Sequence, residues 1–299
     1  MQGLIAALPN DLELARELGK KGTANGITFF NRKLEGKYVT VLAPSDIAEK
    51  YYALPQSIML ANVVVLSTAK IDVVFGESLV AASLLNKPVI LTDDSDASKF
   101  LASLNIDSKV ISRAELLVAL LQYMPEPSGE ARIDIDKAFP VKGVGDVLLG
   151  IVSGGEVKVH DVFVHPSGKE VTIRSIQAQD EDIPSAGKGV RVGLAIKGMG
   201  YEEFEKGDVL ADSQIKKSST LKFAIELAPY AGIAEEQLNG MQALLAYNFS
   251  TATATIEKNG NAYSARLNRQ IAIAKGDAFL LVKDSSPRIF AKGIVQDTG

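Results

Sequence analysis

Three short stretches hold the residue types from which a nucleotide or metal site could be built. The first, Pro9-Asn10-Asp11-Leu12-Glu13, follows an aliphatic run at 4–8. A phosphate-binding loop needs glycines that let backbone N–H groups surround the phosphates, a lysine for their charge, and Ser or Thr for Mg²⁺. This stretch has no glycine and no lysine, and two carboxylates stand where a phosphate would arrive. Their charge opposes the anion that a helix N-terminus otherwise favours. The residues fit a helix start instead, with Asn10 predicted as the N-cap and Glu13 completing a variant capping box. The second stretch, Leu18-Gly19-Lys20-Lys21-Gly22-Thr23, looks like the end of a phosphate loop. Leu14 stands where the leading glycine belongs, however, and Lys21 takes the Ser/Thr place. The stretch is predicted to be a helix C-cap with basic residues on the last carbonyls. The third is the acidic trio Asp93, Asp94 and Asp96. Carboxylate oxygens suit Ca²⁺ or Mg²⁺, and the competing reading has one of them capping a helix at 97–104 while the rest are solvated.

Elsewhere the chemistry is thinner. His160 and His165 flank an apolar strand, and alternation would put them on opposite faces, so turn and surface roles are expected. Glu202, Glu203 and Glu205 read as a solvated turn face. No nucleophile elbow is present, and the absence of cysteine excludes disulfides, thiolate nucleophiles and cysteine-ligated metals. Nothing marks a hydrolase, transferase or redox enzyme.

The elements that would position these residues fall into blocks. With 299 residues, 46% of them hydrophobic and 23% charged, the chain has room for two or three domains. Residues 1–125 alternate short aliphatic strands (4–8, 38–42, 62–66, 73–75, 89–91) with helices at 10–19, 46–60, 77–86, 97–104 and 113–123. That order predicts a largely parallel, doubly covered α/β sheet. Pro125-Glu126-Pro127-Ser128-Gly129-Glu130 then interrupts every pattern, and 126–132 is predicted as a linker. From 133 to 213, alternating apolar residues between turn glycines predict a small closed β-barrel. A second strand-rich block covers 214–299. Lys+Arg against Asp+Glu is 12 to 13 in residues 1–125, 10 to 16 in 126–212 and 10 to 7 in 213–299. A general nucleic-acid binder usually has a clearly basic domain. DNA is therefore not an expected partner, and any RNA contact must be local and shape-directed. No apolar stretch approaches the roughly 20 residues of a membrane span, and Met-Gln-Gly-Leu lacks the basic head of a signal peptide. A cytoplasmic location is expected.

The glycine-punctuated run from Phe139 through Gly143, Gly145, Gly150, Gly154 and Gly155, the Val-Thr-Ile-Arg-Ser-Ile strand at 171–176 and Arg191-Val192-Gly193 resembles the second domain of elongation factor Tu and SelB. Leu267 to Ile273, Gly276-Asp277 and Gly293-Ile294-Val295 resemble the closing strands of the third domain. The resemblance implies a shortened, doubly wound GTPase-like α/β domain followed by two β-barrels. It also implies GTP and Mg²⁺ as family cofactors, and aminoacyl-tRNA and the ribosome as partners. Against it, Ala43-Pro44-Ser45-Asp46 stands where the Mg²⁺-side Asp-x-x-Gly should be, and Thr92-Asp93-Asp94-Ser95-Asp96 where guanine-reading Asn-Lys-x-Asp should be. Asp94, Asp96 and Ser112 are the remnants that could still touch guanine. The expectation is a domain whose scaffold survives without a working nucleotide site, and hence no bound cofactor. Carried over from the family, Gln177, Arg174 and Leu194 fall where the first barrel would hold the terminal adenosine and ester of tRNA. Arg288, within a basic set of Arg266, Arg269, Lys275 and Lys292, is a candidate phosphate contact. An active GTPase with an unorthodox site and an interaction scaffold without tRNA binding are the competing readings.

Overall fold

A computed structural model describes residues 1–93, 97, 98, 101, 106, 108–126, 128–229, 231–260 and 262–298. Its first sheet contains β1 (Gly3–Ala7), β2 (Lys20–Asn25), β3 (Ile27–Leu34), β4 (Lys37–Pro44), β5 (Val63–Ser67), β6 (Val89–Thr92) and β7 (Ser108–Ile111). The strand order is β2-β3-β4-β1-β5-β6-β7. The five strands from β4 to β7 run parallel, whereas β2 and β3 form an antiparallel margin. β1 and β5 are buried along their whole length, which is why their sequences read as unbroken aliphatic runs.

Four local expectations change. Asp11, not Asn10, is the N-cap of α1 (Leu12–Leu18), its side chain accepting from the Leu14 N–H. Residues 73–75 are not a strand but the first turn of α3 (Val73–Leu84), because Asp72 accepts from the Phe75 N–H and caps a helix there. Gly19 is the C-cap of α1 as expected, but 20–25 after it forms the edge strand β2. All six of its residues are exposed, so no hydrophobic period announces it. The helix expected at 46–60 is confined to α2 (Ala53–Leu60).

Two barrels follow. The first is built from β8 (Arg132–Val141), β9 (Gly145–Gly154), β11 (Val162–Val164), β12 (Glu170–Ala178), β15 (Arg191–Lys197) and β16 (Val209–Ala211). Their order is β11-β16-β8-β9-β15-β12, and β11 also pairs with β12, so the path returns on itself. β13 (Glu181–Ile183) extends β12 outward, and β10 (Glu156–Lys158) pairs with β14 (Ser185–Gly187) in a separate two-stranded sheet. The second barrel is closed in the order β17-β20-β19-β18-β21-β22, from β17 (Lys217–Leu227) and β18 (Gln242–Tyr247) through β19 (Ser250–Asn259), β20 (Ala262–Ala272) and β21 (Ala278–Val282) to β22 (Ile289–Thr298). Closure removes exposed sheet edges.

The three bodies pack on one another. One apolar cluster runs from Ile5, Leu42 and Ile58 of the first domain into Leu245, Phe279 and Phe290 of the second barrel. The buried Glu77 of α3 accepts from the backbone N–H groups of Arg288 and Ile289, at 2.5 and 3.0 Å. On the other side, Gly3 of β1 lies against Gly189 of the first barrel so closely that a Cβ on Gly189 would sit 2.2 Å from the Gly3 carbonyl oxygen.

Candidate functional site

The open side of the β2 margin faces the first barrel across a cleft of about 350 Å³. Lys20, Lys21 and Thr23 line it from β2 and Asn31 from β3, while Gln177, Gln179, Arg191 and Gly193 line it from the barrel. Arg191 is the best-fixed cation. Its guanidinium lies 3.3 Å from the Phe29 ring centroid, and Nη2 donates to Thr23 Oγ1 at 2.6 Å and to Asp136 Oδ2 at 3.2 Å. The side chain is 9% exposed, and Nη1 is buried without a partner. Burial pulls the guanidinium pKa down, against the carboxylate of Asp136. Arg191 therefore brings to the cleft wall a guanidinium whose donors are not all satisfied, a group that favours an anionic or carbonyl oxygen nearby.

The carried-over residues separate. Gln177 is exposed, lines the cleft, and donates from Nε2 to Asp182 Oδ1 at 2.9 Å. Leu194 does not face it. Leu194 is fully buried and pairs with Ile176 inside the barrel, and the residue opposite Gln177 is Gly193. A one-residue register difference flips every side chain to the other face. Arg174 and Gln177 are three apart, a spacing that alternation would split between faces. A bulge between Ile173 and Ser175 restores both to the outside. Arg174 Nη1 donates to the Val144 carbonyl at 3.2 Å, and Arg174 is not among the residues lining the cleft. Arg288 lies elsewhere, its guanidinium 4.4 Å from the Tyr51 ring centroid at the seam between the first domain and the second barrel. Lys292, from the same basic set, donates to the Leu84 carbonyl at 2.6 Å and is buried.

The end of β1, where strand order reverses, is the usual ligand crevice of an open α/β sheet. Here the chain's own side chains occupy it. Asn10 Nδ2 donates to the Ser67 carbonyl at 2.7 Å and Oδ1 accepts from the Ser67 N–H at 3.0 Å. Asp11 accepts from the Leu14 N–H and from Arg113 Nη2 at 2.8 Å. Burial works to raise the Asp11 pKa, but the Leu14 N–H, Ser67 and Arg113 outweigh it and hold the carboxyl below its ordinary value. Arg113 also pairs with Asp93 at 3.3 Å. Ser112 Oγ donates to Glu115 at 2.7 Å, a contact within the turn. Asp94 and Asp96 lie outside the described residues. Among the described residues no group of three or more His, Cys, Asp or Glu is arranged to hold a metal.

His165 is a further correction. It is buried, Nε2 lies 3.0 Å from Asp208 Oδ2, and Asp208 Oδ1 is 2.7 Å from Lys217 Nζ of the second barrel. The histidine belongs to the junction of the barrels, not to the surface.

Known proteins agree with this architecture. The family model for elongation factor Tu domain 2 matches residues 145–211. The first barrel, hereafter domain 2, thus matches that family's domain from β9 to β16. The whole chain resembles the SelB and elongation factor Tu translation factors in fold. It superposes over 100% of its length on 80% of SelB from Methanococcus maripaludis in complex with the GTP analogue GppNHp, with a TM-score of 0.80 at 18% identity. Over 98% of its length it is 29% identical to 99% of the protein named "Uncharacterized protein MJ0325" from Methanocaldococcus jannaschii. A selenocysteine-specific elongation factor of the same organism is 37% identical over 31% of the chain, which covers 20% of that factor. The sequence matches to named elongation factors thus span about a fifth of those proteins, whereas the fold likeness spans all three bodies of this chain.

Lys20 and Lys21 resemble the end of a phosphate loop in sequence but lie on the edge strand β2. In sequence, Arg191 reads only as part of a barrel strand. Its role depends on Phe29 and Thr23, more than 160 positions away, which no local pattern reports.

Proposed function

We propose that the protein binds the aminoacylated 3′ end of a tRNA in the cleft between β2 and domain 2, as a cytoplasmic translation-factor-like protein that runs no GTP cycle. The observation that carries this reading is the cleft itself. It joins Gln177, the residue carried over from the family, to Lys20, Lys21 and the unpartnered Arg191 Nη1. Amide and guanidinium donors suit a ribose, an ester carbonyl and a terminal phosphate. Supporting the second half of the proposal, the β1–α1 turn offers Asp11 where a phosphate loop would offer glycine and lysine.

Gln177→Ala should weaken aminoacyl-tRNA binding by about 1–2 kcal/mol, the range for a hydrogen bond lost at a desolvated contact. Filter binding or fluorescence titration checks it, and unchanged affinity would move the tRNA end away from the cleft. The competing reading, a GTPase with an unorthodox site, draws on the likeness to a SelB structure in complex with a GTP analogue. A calorimetric titration with GTP or GDP and Mg²⁺ separates the two. Micromolar binding corresponds to about −8 kcal/mol, and no saturable heat is expected at micromolar protein. Micromolar binding, or steady GTP hydrolysis, would favour the GTPase.

A further inference from the structure

A second polar cavity, away from the cleft, lies where all three bodies meet. It has a lobe of about 240 Å³, adjoined by a more open one of about 290 Å³, with Met59, Lys87, Ser153 and Asn248 lining both. Lys87 comes from the first domain, Asp134 and Lys188 from the first barrel, and Asn248 from the second. The charges are arranged asymmetrically. Lys87 Nζ donates to the carbonyls of Met59 and Ala61 at 3.2 and 2.6 Å, which fixes the amine and leaves one of its three N–H groups. Lys188 lines the same lobe and forms no ion pair among the described residues. Burial, and then the neighbouring Lys188, lower the Lys87 pKa to about 8. An anion between the two lysines would relieve both effects.

The opposite wall makes a different demand. Asp134 is 1% exposed. Its Oδ1 accepts from Asn248 Nδ2 at 3.0 Å while Oδ2 makes no well-formed hydrogen bond, and burial raises the carboxyl pKa against the pull of Arg132, Ser153 and Asn248. A buried carboxylate oxygen without a partner calls for a hydrogen-bond donor. Arg132, which lines the second lobe, gives its Nη1 and Nη2 to Asp277 at 3.0 and 3.1 Å, while its buried Nε has no partner. An anion that also carries a proton would serve both walls, accepting from the lysines and giving to the carboxylate. A protonated phosphate is such a group, and sulfate is not.

We propose that this three-body junction binds a phosphate group, its oxygens accepting from Lys87 and Lys188 and its P–OH donating to Asp134 Oδ2. The phosphate is either free or the head of a small monoester whose tail extends into the second lobe. The test is calorimetry on the full chain with inorganic phosphate, glycerol 3-phosphate and sulfate, at constant ionic strength and pH 6, near the second ionisation of a phosphate monoester at about 6. One saturable site is expected for a phosphate, with sulfate at least tenfold weaker. Binding of inorganic phosphate alone would assign the site to the free ion, and equal or tighter binding of glycerol 3-phosphate to a monoester. Lys188→Ala, at a half-buried position, should weaken phosphate binding at least tenfold. Asp134→Asn should erase the preference over sulfate. If the folded wild-type chain binds no phosphate, binds sulfate equally well, or is indifferent to Lys188→Ala, the proposal is overturned.

Discussion

Gly189→Ala is expected to destabilise the protein by at least about 3 kcal/mol, the scale reached when a strained backbone position also meets a clash that cannot relax. Gly189 has φ of +85°, a conformation L-residues rarely adopt. The added Cβ would lie 2.2 Å from the carbonyl oxygen of Gly3, and Gly3 begins the central strand of the first sheet. Neither side can give way. Gly189 N–H is bonded to the Val152 carbonyl at 2.8 Å, and β1 is paired on both edges. Gly36→Ala is the control, since its φ is +74° but nothing lies within 4 Å of the new Cβ. It should cost only the left-handed strain, about 1–2 kcal/mol. Urea denaturation of both variants measures the difference. Equal losses would mean that the two domains do not meet at this seam.

Asp208→Ala should cost about 3–5 kcal/mol, because it removes one partner of a buried ionic network and leaves the others uncompensated. Asp208 is 2% exposed and accepts from the Glu205 N–H at 2.8 Å, beside His165 at 3.0 Å and Lys217 at 2.7 Å. Burial works to raise its pKa, yet His165, the Glu205 N–H and Lys217 prevail and hold it below the ordinary value. A depressed carboxyl pKa contributes stability that is fully present above the unfolded value of about 4 and fades as pH falls through the folded value. The gap between wild type and Asp208→Ala should therefore be widest near neutrality and narrow below about pH 4. Lys217 shifts the other way. Burial lowers its pKa, but Asp208 and Glu205 raise it further, so its share persists until strongly alkaline pH. Denaturant midpoints across pH test this, and a gap that stays constant into acid would show that the carboxylate charge contributes nothing.

What the sequence discloses follows the range of the forces involved. The first barrel is legible because alternation and turn glycines are local, and Gly143, Gly145 and Gly155 all adopt positive φ. The parallel sheet is legible because burial on both faces writes aliphatic runs. β2 is not, since its six residues are all solvent-exposed and owe their pairing to β3. Residues 73–75 mislead because two valines and a phenylalanine suit a strand, while the cap that decides the matter, Asp72, is a single side chain. Leu194 fails as a site residue through a register offset of one, which only the observed pairing with Ile176 fixes. His165 and Arg191 draw their roles from Asp208 and Phe29, partners far along the chain. The cleft is therefore half legible: Gln177, carried over by family likeness, lines it, whereas Lys20 and Lys21 opposite lie on a strand that no local pattern announces.

The central claim is that the cleft between β2 and domain 2 holds the aminoacylated end of a tRNA without help from GTP. Equilibrium binding of one tRNA in aminoacylated and deacylated forms, in nucleotide-free buffer at fixed salt, tests this most directly. The account predicts tighter binding of the aminoacylated form, because only its ester and amino acid fill the cleft. It also predicts affinity that falls with salt as Lys20, Lys21 and Arg191 release phosphate. Equal binding of the two forms, or binding of neither, would contradict it and leave a scaffold that has lost tRNA.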